Sequence, residues 1–316
     1  MRHGPMCGSR TVSRVLLVAA MLTCVSAAYA SPNDTRWIGT QGDWFDPANW
    51  SSGVPSSELY AAWINNGGTA VVSSGSAVAD YIELGQPQGV GGMLQTGGQV
   101  SVYSDVILGT GSSGDWGSYT ISGGTLSTRV MDLAGGELNI TNNAANVLVD
   151  NRLWAADGSR IEAVPGTTIA AGIVQIYCFK PQEPNFADLA NIKFIVTATY
   201  EVGGKDLGPV EAGFEKNFAL RAFEVGSGTV HLYDYCDTQL DGWDIPEALY
   251  VDSLIFPPNS RLRLGGVNVY YHHLQMDPTA TIDYSRGGAI MFVPEPATLS
   301  LLALGGLLAL GRRKRA

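Results

Sequence analysis

Alternation between polar and apolar residues is the dominant pattern in the middle of the chain. Stretches such as Gln99–Val102 and Glu137–Ile140 place every second side chain on one apolar face. This is the period of a β-strand with one buried face. Between the two ends of the chain, no segment has the apolar stripe of an amphipathic helix. The pattern therefore predicts many short strands joined by tight turns.

Two short sequence units repeat within the predicted strands. A Gly-Gly-x-apolar unit has its second glycine at Gly68, Gly98, Gly124 and Gly136. An apolar-x-Leu-Gly unit ends at Gly85 and again at Gly109. Equivalent positions recur roughly every 25 residues, which is typical of one coil of a repeat protein. The paired glycines allow the positive φ angles at which a coil turns between its faces.

These repeats predict an all-β fold, a right-handed parallel β-solenoid. One coil cannot bury its inward row alone, but stacked coils make that row continuous. Glycine supplies 39 of the 316 residues and charged residues only 15%, which agrees with tight turns and short strands. We assign residues 67–172 to Gly-rich solenoid repeats and residues 173–292 to an irregular β-rich continuation. The competing interpretation is a β-sandwich with long Gly-rich turns.

Residues 1–30 have the three parts of a secretory signal peptide. Arg2, Arg10 and Arg14 form a basic region, and an apolar run covers residues 15–25. The small residues Ala28 and Ala30 then make a cleavage site, and we expect cleavage after Ala30. The alternative is a retained N-terminal anchor. A cleaved signal predicts that the rest of the chain is exported.

The C-terminal residues 293–316 also form three consecutive parts. Pro294, Glu295 and Pro296 precede an apolar run over residues 297–310, and a basic cluster ends the chain at Arg312, Arg313, Lys314 and Arg315. As a helix the apolar run is roughly 21 Å long, shorter than the hydrocarbon core of about 30 Å. Basic residues after such a run stay on the cytoplasmic side, so the preceding chain lies outside. The helix is therefore a marginal membrane span.

This C-terminal arrangement resembles the sorting signal of the PEP-CTERM family of bacterial surface proteins. The resemblance covers about 24 residues, and it rests on the Pro294-Glu295-Pro296 motif, the short apolar helix and the Arg-rich end. It implies a transient stay in the inner membrane and processing by an exosortase, a membrane-embedded cysteine peptidase. The cell surface or extracellular matrix would be the destination. The alternative is a plain C-terminal anchor.

Residues 31–66 are rich in tryptophan and form the predicted N-terminal cap. Trp37, Trp44 and Trp50 either cover the open end of the strand-built core or, if exposed, form a stacking surface for sugar rings. We favour the cap. Tryptophans at this spacing after a signal also resemble the N-terminal motif of exported proteins with autotransporter-associated β-strand repeats.

The charge of the chain excludes some partners and favours others. The formal net charge is −10, and removal of the two signals leaves 12 basic and 28 acidic residues. An acidic exported protein is a poor candidate for nucleic acid, which requires clustered Lys and Arg. Divalent cations fit better. The candidate Ca²⁺ ligands are the carboxylates of Asp234, Asp237, Asp241 and Asp244, although a solvated acidic loop is the favoured interpretation.

Cysteine and histidine positions add two expectations. Cys178 and Cys236 are the cysteines that remain after signal removal, and in an oxidising compartment they predict one disulfide, with two separate buried thiols as the alternative. His231 is isolated in sequence, and His272 and His273 would point to opposite faces of a strand. We therefore interpret all three histidines as core or surface residues.

The sequence predicts a non-enzymatic surface or matrix protein with a structural or adhesive role, for which extracellular polysaccharide is a candidate partner. No Gly-x-Ser-x-Gly elbow and no Cys/His metal spacing is present. The alternative is a β-helix polysaccharide lyase or glycosidase, which would need a lateral cleft with acidic and basic side chains. Within the repeats, the candidates for such a cleft are Arg152 or Arg160 with Asp150 or Asp157.

Overall fold

The fold is described by a computed structural model that covers residues 34–58, 60–86, 89–112, 114–156, 158–176, 189–236 and 246–295. The predicted signal peptide and the apolar C-terminal run lie outside these residues. The protein is all-β, a parallel β-solenoid of about 10 turns. The sequence-based prediction of a parallel β-solenoid, rather than a sandwich, is confirmed.

The described strands are short and follow one another closely. The N-terminal strands are β1 (Thr35–Arg36), β2 (Gln41–Asp43), β3 (Ala61–Ile64), β4 (Thr69–Val72), β5 (Ser76–Ala79), β6 (Tyr81–Leu84), β7 (Val90–Gln95) and β8 (Gln99–Leu108). The central strands are β9 (Trp116–Ile121), β10 (Thr125–Leu133), β11 (Glu137–Ile140), β12 (Asn146–Ala155), β13 (Arg160–Ala163) and β14 (Thr167–Ile176).

The C-terminal strands continue the same architecture. They are β15 (Ile192–Glu201), β16 (Gly204–Lys205), β17 (Leu220–Val225), β18 (Thr229–Tyr233), β19 (Glu247–Phe256), β20 (Arg261–Arg263), β21 (Asn268–Met276), β22 (Thr281–Asp283) and β23 (Ile290–Phe292). Short 3₁₀ helices cover Pro47–Asn49 and Glu211–Phe214.

Each turn in the N-terminal half has three strand-bearing faces. The first part of β8 pairs with β5 and its second part pairs with β6, so a long strand spans two faces and bends at the corner between them. The third face is a separate six-stranded sheet of β2, β4, β7, β9, β11 and β13. Pairing between consecutive turns is parallel throughout this half.

Strand pairing runs through both of the predicted domain boundaries. β1 in the Trp-rich segment pairs with β3, which in turn pairs with β6 in the repeat region. Further along the chain, β14 pairs with β15 across the boundary predicted near residue 173. The β3–β6 and β14–β15 pairings, which cross the boundaries, are both parallel. The long sheet contains strands from β1 to β23, so the two sides of each boundary belong to one stack.

The glycine repeats fall on two different faces of the coil. Gly98 and Gly124 precede β8 and β10, which are paired strands of the long sheet. Gly68 and Gly136 instead precede β4 and β11, which belong to the six-stranded sheet. The four glycines therefore mark two corners of the coil rather than one. The positive φ angles of Gly98 (67°) and Gly124 (82°) agree with the predicted corner role.

An apolar row runs through the inside of the stack. One residue from each of seven paired strands contributes to it, and each is at most 3% exposed: Ile82, Val106, Met131, Leu153, Val174, Tyr200 and Leu232. Burial of a side chain of this size contributes roughly 1.5–3 kcal/mol. The row is continuous because the turns stack in register.

One carboxylate is buried next to this core. Glu83 is 3% exposed, and its Oε2 accepts a hydrogen bond of 2.8 Å from the Tyr81 hydroxyl. Burial raises the pKa of Glu83 to about 7, and the Tyr81 hydrogen bond only partly opposes this effect. Glu83 therefore takes up a proton more readily in the folded protein than in the unfolded chain.

We predict that Leu153→Ala destabilises the solenoid by about 2–5 kcal/mol, because it leaves a cavity in the inward row. Leu148 lies in the same strand and is 40% exposed, so Leu148→Ala is the matched control, with a change within about 0.5 kcal/mol. Urea unfolding followed by circular dichroism measures both variants. Equal losses in the two variants would contradict a core built from this row.

We predict that Glu83→Gln stabilises the protein at pH 8 and leaves its stability unchanged at pH 4. The pKa of Glu83 is raised from 4.5 in the unfolded chain to about 7 in the folded protein. The stability contributed by the protonated carboxyl is therefore fully present below pH 4.5 and is lost as the pH rises through about 7. The expected gain at pH 8 is about 2–3 kcal/mol. Urea unfolding at both pH values measures it, and a parallel pH dependence of the two proteins would refute the assignment.

Candidate functional site

The three candidate glycan-binding tryptophans lie inside the first turns of the solenoid. Trp37, Trp44 and Trp50 are 2%, 0% and 3% exposed. The ring of Trp50 makes edge contacts with the other two, at centroid distances of 5.0 Å to Trp37 and 4.8 Å to Trp44. Its Nε1 donates a hydrogen bond of 2.7 Å to the Trp44 carbonyl. This packing agrees with the cap interpretation and leaves no open indole face for a sugar ring, so the stacking-surface hypothesis needs correction.

The acidic segment is described only in part. The carboxylate of Asp234 accepts a hydrogen bond of 3.3 Å from the backbone N–H of Glu247. Asp237, Asp241 and Asp244 lie outside the described residues, and the Ca²⁺ site stays a prediction. Cys178 also lies outside them, so its disulfide with Cys236 stays a prediction as well.

The arginines of the repeat region are engaged with neighbouring side chains. Arg152 donates two hydrogen bonds to the Asp132 carboxylate, at 3.0 and 3.1 Å. The guanidinium of Arg160 lies over the Trp116 ring, 5.9 Å from its centroid. Asp150 is exposed on β12, and Asp157 lies outside the described residues. Arg152 and Arg160 therefore each contact a neighbouring side chain of the solenoid.

A lateral groove of about 270 Å³ lies on the C-terminal turns of the solenoid. Three successive strands supply its central row, because His231 on β18 pairs with Arg263 on β20, and Arg263 pairs with Asp283 on β22. The remaining lining residues are Leu232, Tyr233, Gly265, Ser285 and Arg286. We call this site the lateral groove.

The charge of the lateral groove is positive in a chain that is acidic as a whole. Arg261 and Arg263 both contact one oxygen of Asp283, at 2.8 and 3.2 Å, and each arginine side chain is 44% exposed. Hydrogen bonds from Ser285, supported by Arg261, lower the pKa of Asp283 to about 2. Arg286 lines the same groove. Two guanidinium groups therefore contact the ionised carboxylate, and a third lies in the wall of the groove.

His231 and Tyr233 add aromatic surface to the groove. Their side chains lie on the same side of β18, and their rings stack at 5.9 Å with an interplanar angle of 12°. Burial lowers the pKa of His231, and the charges of Arg263, Arg286 and Arg261 lower it further. At neutral pH the imidazole is therefore uncharged, and it can accept as well as donate a proton.

Gly265 forms part of the wall of the lateral groove. Its φ angle of 65° is in the left-handed region, and a Cβ at this position would overlap with the carbonyl oxygen of Leu232. Leu232 itself is fully buried in the inward row. A glycine therefore allows two turns to approach closely beside the polar row.

The interpretation of His231 as an isolated residue is incomplete. The available signal in the sequence was the alternation in His231-Leu232-Tyr233 and in Arg261-Leu262-Arg263, in which the polar residues flank an inward leucine. This alternation does not say which turns are adjacent. The spacing between the turns is irregular here, so only the strand register brings the histidine, arginines and aspartate together.

The first residues of the candidate sorting motif lie at the folded end of the solenoid. Val293 is 2% exposed, and its N–H donates a hydrogen bond of 2.8 Å to the Tyr271 carbonyl. Pro294 and Glu295 follow directly, both partly buried. Pro296, the apolar run and the basic cluster at Arg312, Arg313, Lys314 and Arg315 lie outside the described residues. Within the described part of the chain, no helix is long and apolar enough to cross a membrane.

Comparison with known families identifies this C-terminal segment. Residues 292–315 match the PEP-CTERM protein-sorting motif. Comparison with curated proteins found no significant match, and comparison with solved structures found none either. The motif implies an exported protein that is processed by an exosortase, a membrane peptidase.

Proposed function

We propose that this exported, exosortase-sorted chain is a non-enzymatic structural and adhesive protein of the cell surface or extracellular matrix, and that it binds acidic polysaccharide in the lateral groove. The observation that carries the proposal is that Arg261 and Arg263 both contact the carboxylate of Asp283. Arg286 and the aromatic pair of His231 and Tyr233 line the same groove. The match to the sorting motif supports the location.

The chemistry of the groove favours a sugar acid as ligand. Guanidinium groups bind carboxylates and sulfates in a planar, two-point geometry. Asp283 engages Arg261 and Arg263 through a single oxygen atom, and both guanidinium groups are partly exposed, so further N–H donors face solvent. Tyr233 is 39% exposed and offers an aromatic face against which a sugar ring can pack. A uronate unit offers both a carboxylate for the guanidinium groups and a sugar ring for the tyrosine.

The net charge of the chain restricts where an acidic polymer can bind. With a formal charge of −10, most of the surface repels a polyanion, and the groove is a local exception. A polymer that bears many identical units can engage many copies of such a protein at once. Weak single contacts then add up to firm adhesion through effective concentration.

A second candidate function, a polysaccharide lyase, is favoured by the uncharged His231 beside three arginines. In such a reaction a base removes the proton next to the uronate carboxylate, whose charge the arginines neutralise. The glycosidic C–O bond then breaks, a C=C bond forms in the sugar, and the departing oxygen takes up a proton. His231 would be the base and Tyr233 the proton donor.

We predict that the exported chain binds oligogalacturonate or oligoalginate and does not bind neutral dextran. Replacement of Arg263 and Arg286 by Gln lowers the affinity at least about tenfold, because each charged hydrogen bond contributes about 1.5–3 kcal/mol. Arg129→Gln is the matched control, since Arg129 is 54% exposed and paired with Asp105 in the repeat region. Isothermal titration calorimetry at two salt concentrations measures the affinities.

The same samples separate adhesion from catalysis. Binding without release of unsaturated uronate, followed by its ultraviolet absorbance, supports adhesion. Release that His231→Gln abolishes, with binding retained, supports the lyase. Absence of binding to any acidic polymer, or equal binding by the double variant, would overturn the role of the lateral groove.

A further inference from the structure

The junction between the solenoid and the sorting motif contains a second group of polar side chains. β23 pairs with β21, and the buried Val293 fixes the chain immediately before Pro294 and Glu295. No free linker separates the last strand from Glu295 within the described residues. The side chain of Glu295 consequently has a defined position against the last turns.

Three ligand-type side chains from separate segments meet at this junction. The Nε2 atom of His273 on β21 lies 3.0 Å from Oε1 of Glu295 and 4.0 Å from Oδ1 of Asp252 on β19. All three ligand atoms lie within 4.8 Å of one another. Ligand atoms around one Zn²⁺ ion are roughly 3–3.6 Å apart when each is about 2.0–2.2 Å from the metal. Small side-chain rotations bring the three atoms to such distances.

Electrostatics also favours a cation between these groups. Two carboxylates converge on one ring nitrogen, and a single proton on that nitrogen can form a good hydrogen bond with only one of them. The carboxylate oxygens of Asp252 and Glu295 lie within 4.8 Å of each other, so their negative charges repel. A divalent ion satisfies both carboxylates and the imidazole at once.

His272 holds Asp252 in place from the other side. Its Nδ1 lies 3.3 Å from the same Oδ1 of Asp252, and its Nε2 lies 3.2 Å from Glu211. The ring stacks on Phe214 at 3.8 Å, and the side chain is only 8% exposed. The two histidines do point in different directions, as the alternation of the strand predicts, yet both reach Asp252. In metalloproteins, hydrogen bonds from neighbouring residues hold the ligand side chains in the orientation needed for metal binding.

We propose that Asp252, His273 and Glu295 bind one divalent transition-metal ion such as Zn²⁺, and that the ion fastens the sorting motif to the end of the solenoid. The three side chains are between 45% and 62% exposed, so an ion can enter and water can complete its coordination. The metal ties Glu295, the central residue of the motif, to strands β19 and β21. Access of a peptidase to the motif then depends on metal occupancy.

Titration of the exported chain in detergent with Zn²⁺ tests the site. We expect one ion per chain by calorimetry and, with Co²⁺ as a probe, visible absorption bands that Zn²⁺ displaces. Asp252→Asn, His273→Gln and Glu295→Gln each weaken Zn²⁺ binding at least tenfold. Glu162→Gln is the matched control, because it removes an exposed carboxylate on β13, outside both candidate sites, and leaves the affinity unchanged.

A second readout separates the metal site from a simple ion pair. Zn²⁺ slows hydrogen exchange in the peptide that covers residues 289–295 of the unaltered chain, and Glu295→Gln removes this protection. Circular dichroism confirms that each variant is folded. No binding to the unaltered chain, or binding that all three variants retain, would overturn the proposal.

Discussion

The register between turns of the solenoid is the constraint on which the rest of the structure depends. No turn has a core of its own, so Ile82, Val106, Met131 and their successors are buried only because the next turn covers them. The same register fixes the outward side chains. Residues far apart in sequence, such as His231 and Arg263, become neighbours because the inward residues beside them must stack. The positions of the candidate sites are therefore consequences of the core.

The two candidate sites lie in the C-terminal turns, where the sequence carries a higher density of charged residues. The turns of the N-terminal half have a third strand-bearing face and repeat glycines at their corners. After β14 the six-stranded sheet has ended, and the described strands all belong to the long sheet. Both candidate sites therefore lie in the half of the solenoid that has lost the third face and that precedes the sorting motif.

Sequence alone predicts much of the fold because its main signals are local. Alternation of side chains, paired glycines and short units that recur about every 25 residues are enough to predict a solenoid. The same signals do not show that Gly98 and Gly136 belong to different corners. Both glycines stand in the same four-residue Gly-Gly-x-apolar pattern. The lateral groove and the His273–Glu295 contact depend on which turns are adjacent, and the turn lengths vary in that region. The burial of Trp37, Trp44 and Trp50 follows from their packing against one another, which spacing alone does not determine.

Hydrogen exchange measured by mass spectrometry, with and without saturating oligogalacturonate, tests the central claim most directly. The claim is that register places one acidic-glycan site on the C-terminal turns. It predicts slowed exchange in peptides that cover residues 229–233, 261–265 and 281–286, and no change in the Trp-rich first turns. Protection confined to the first turns, or to only one of the three C-terminal peptides, would contradict it.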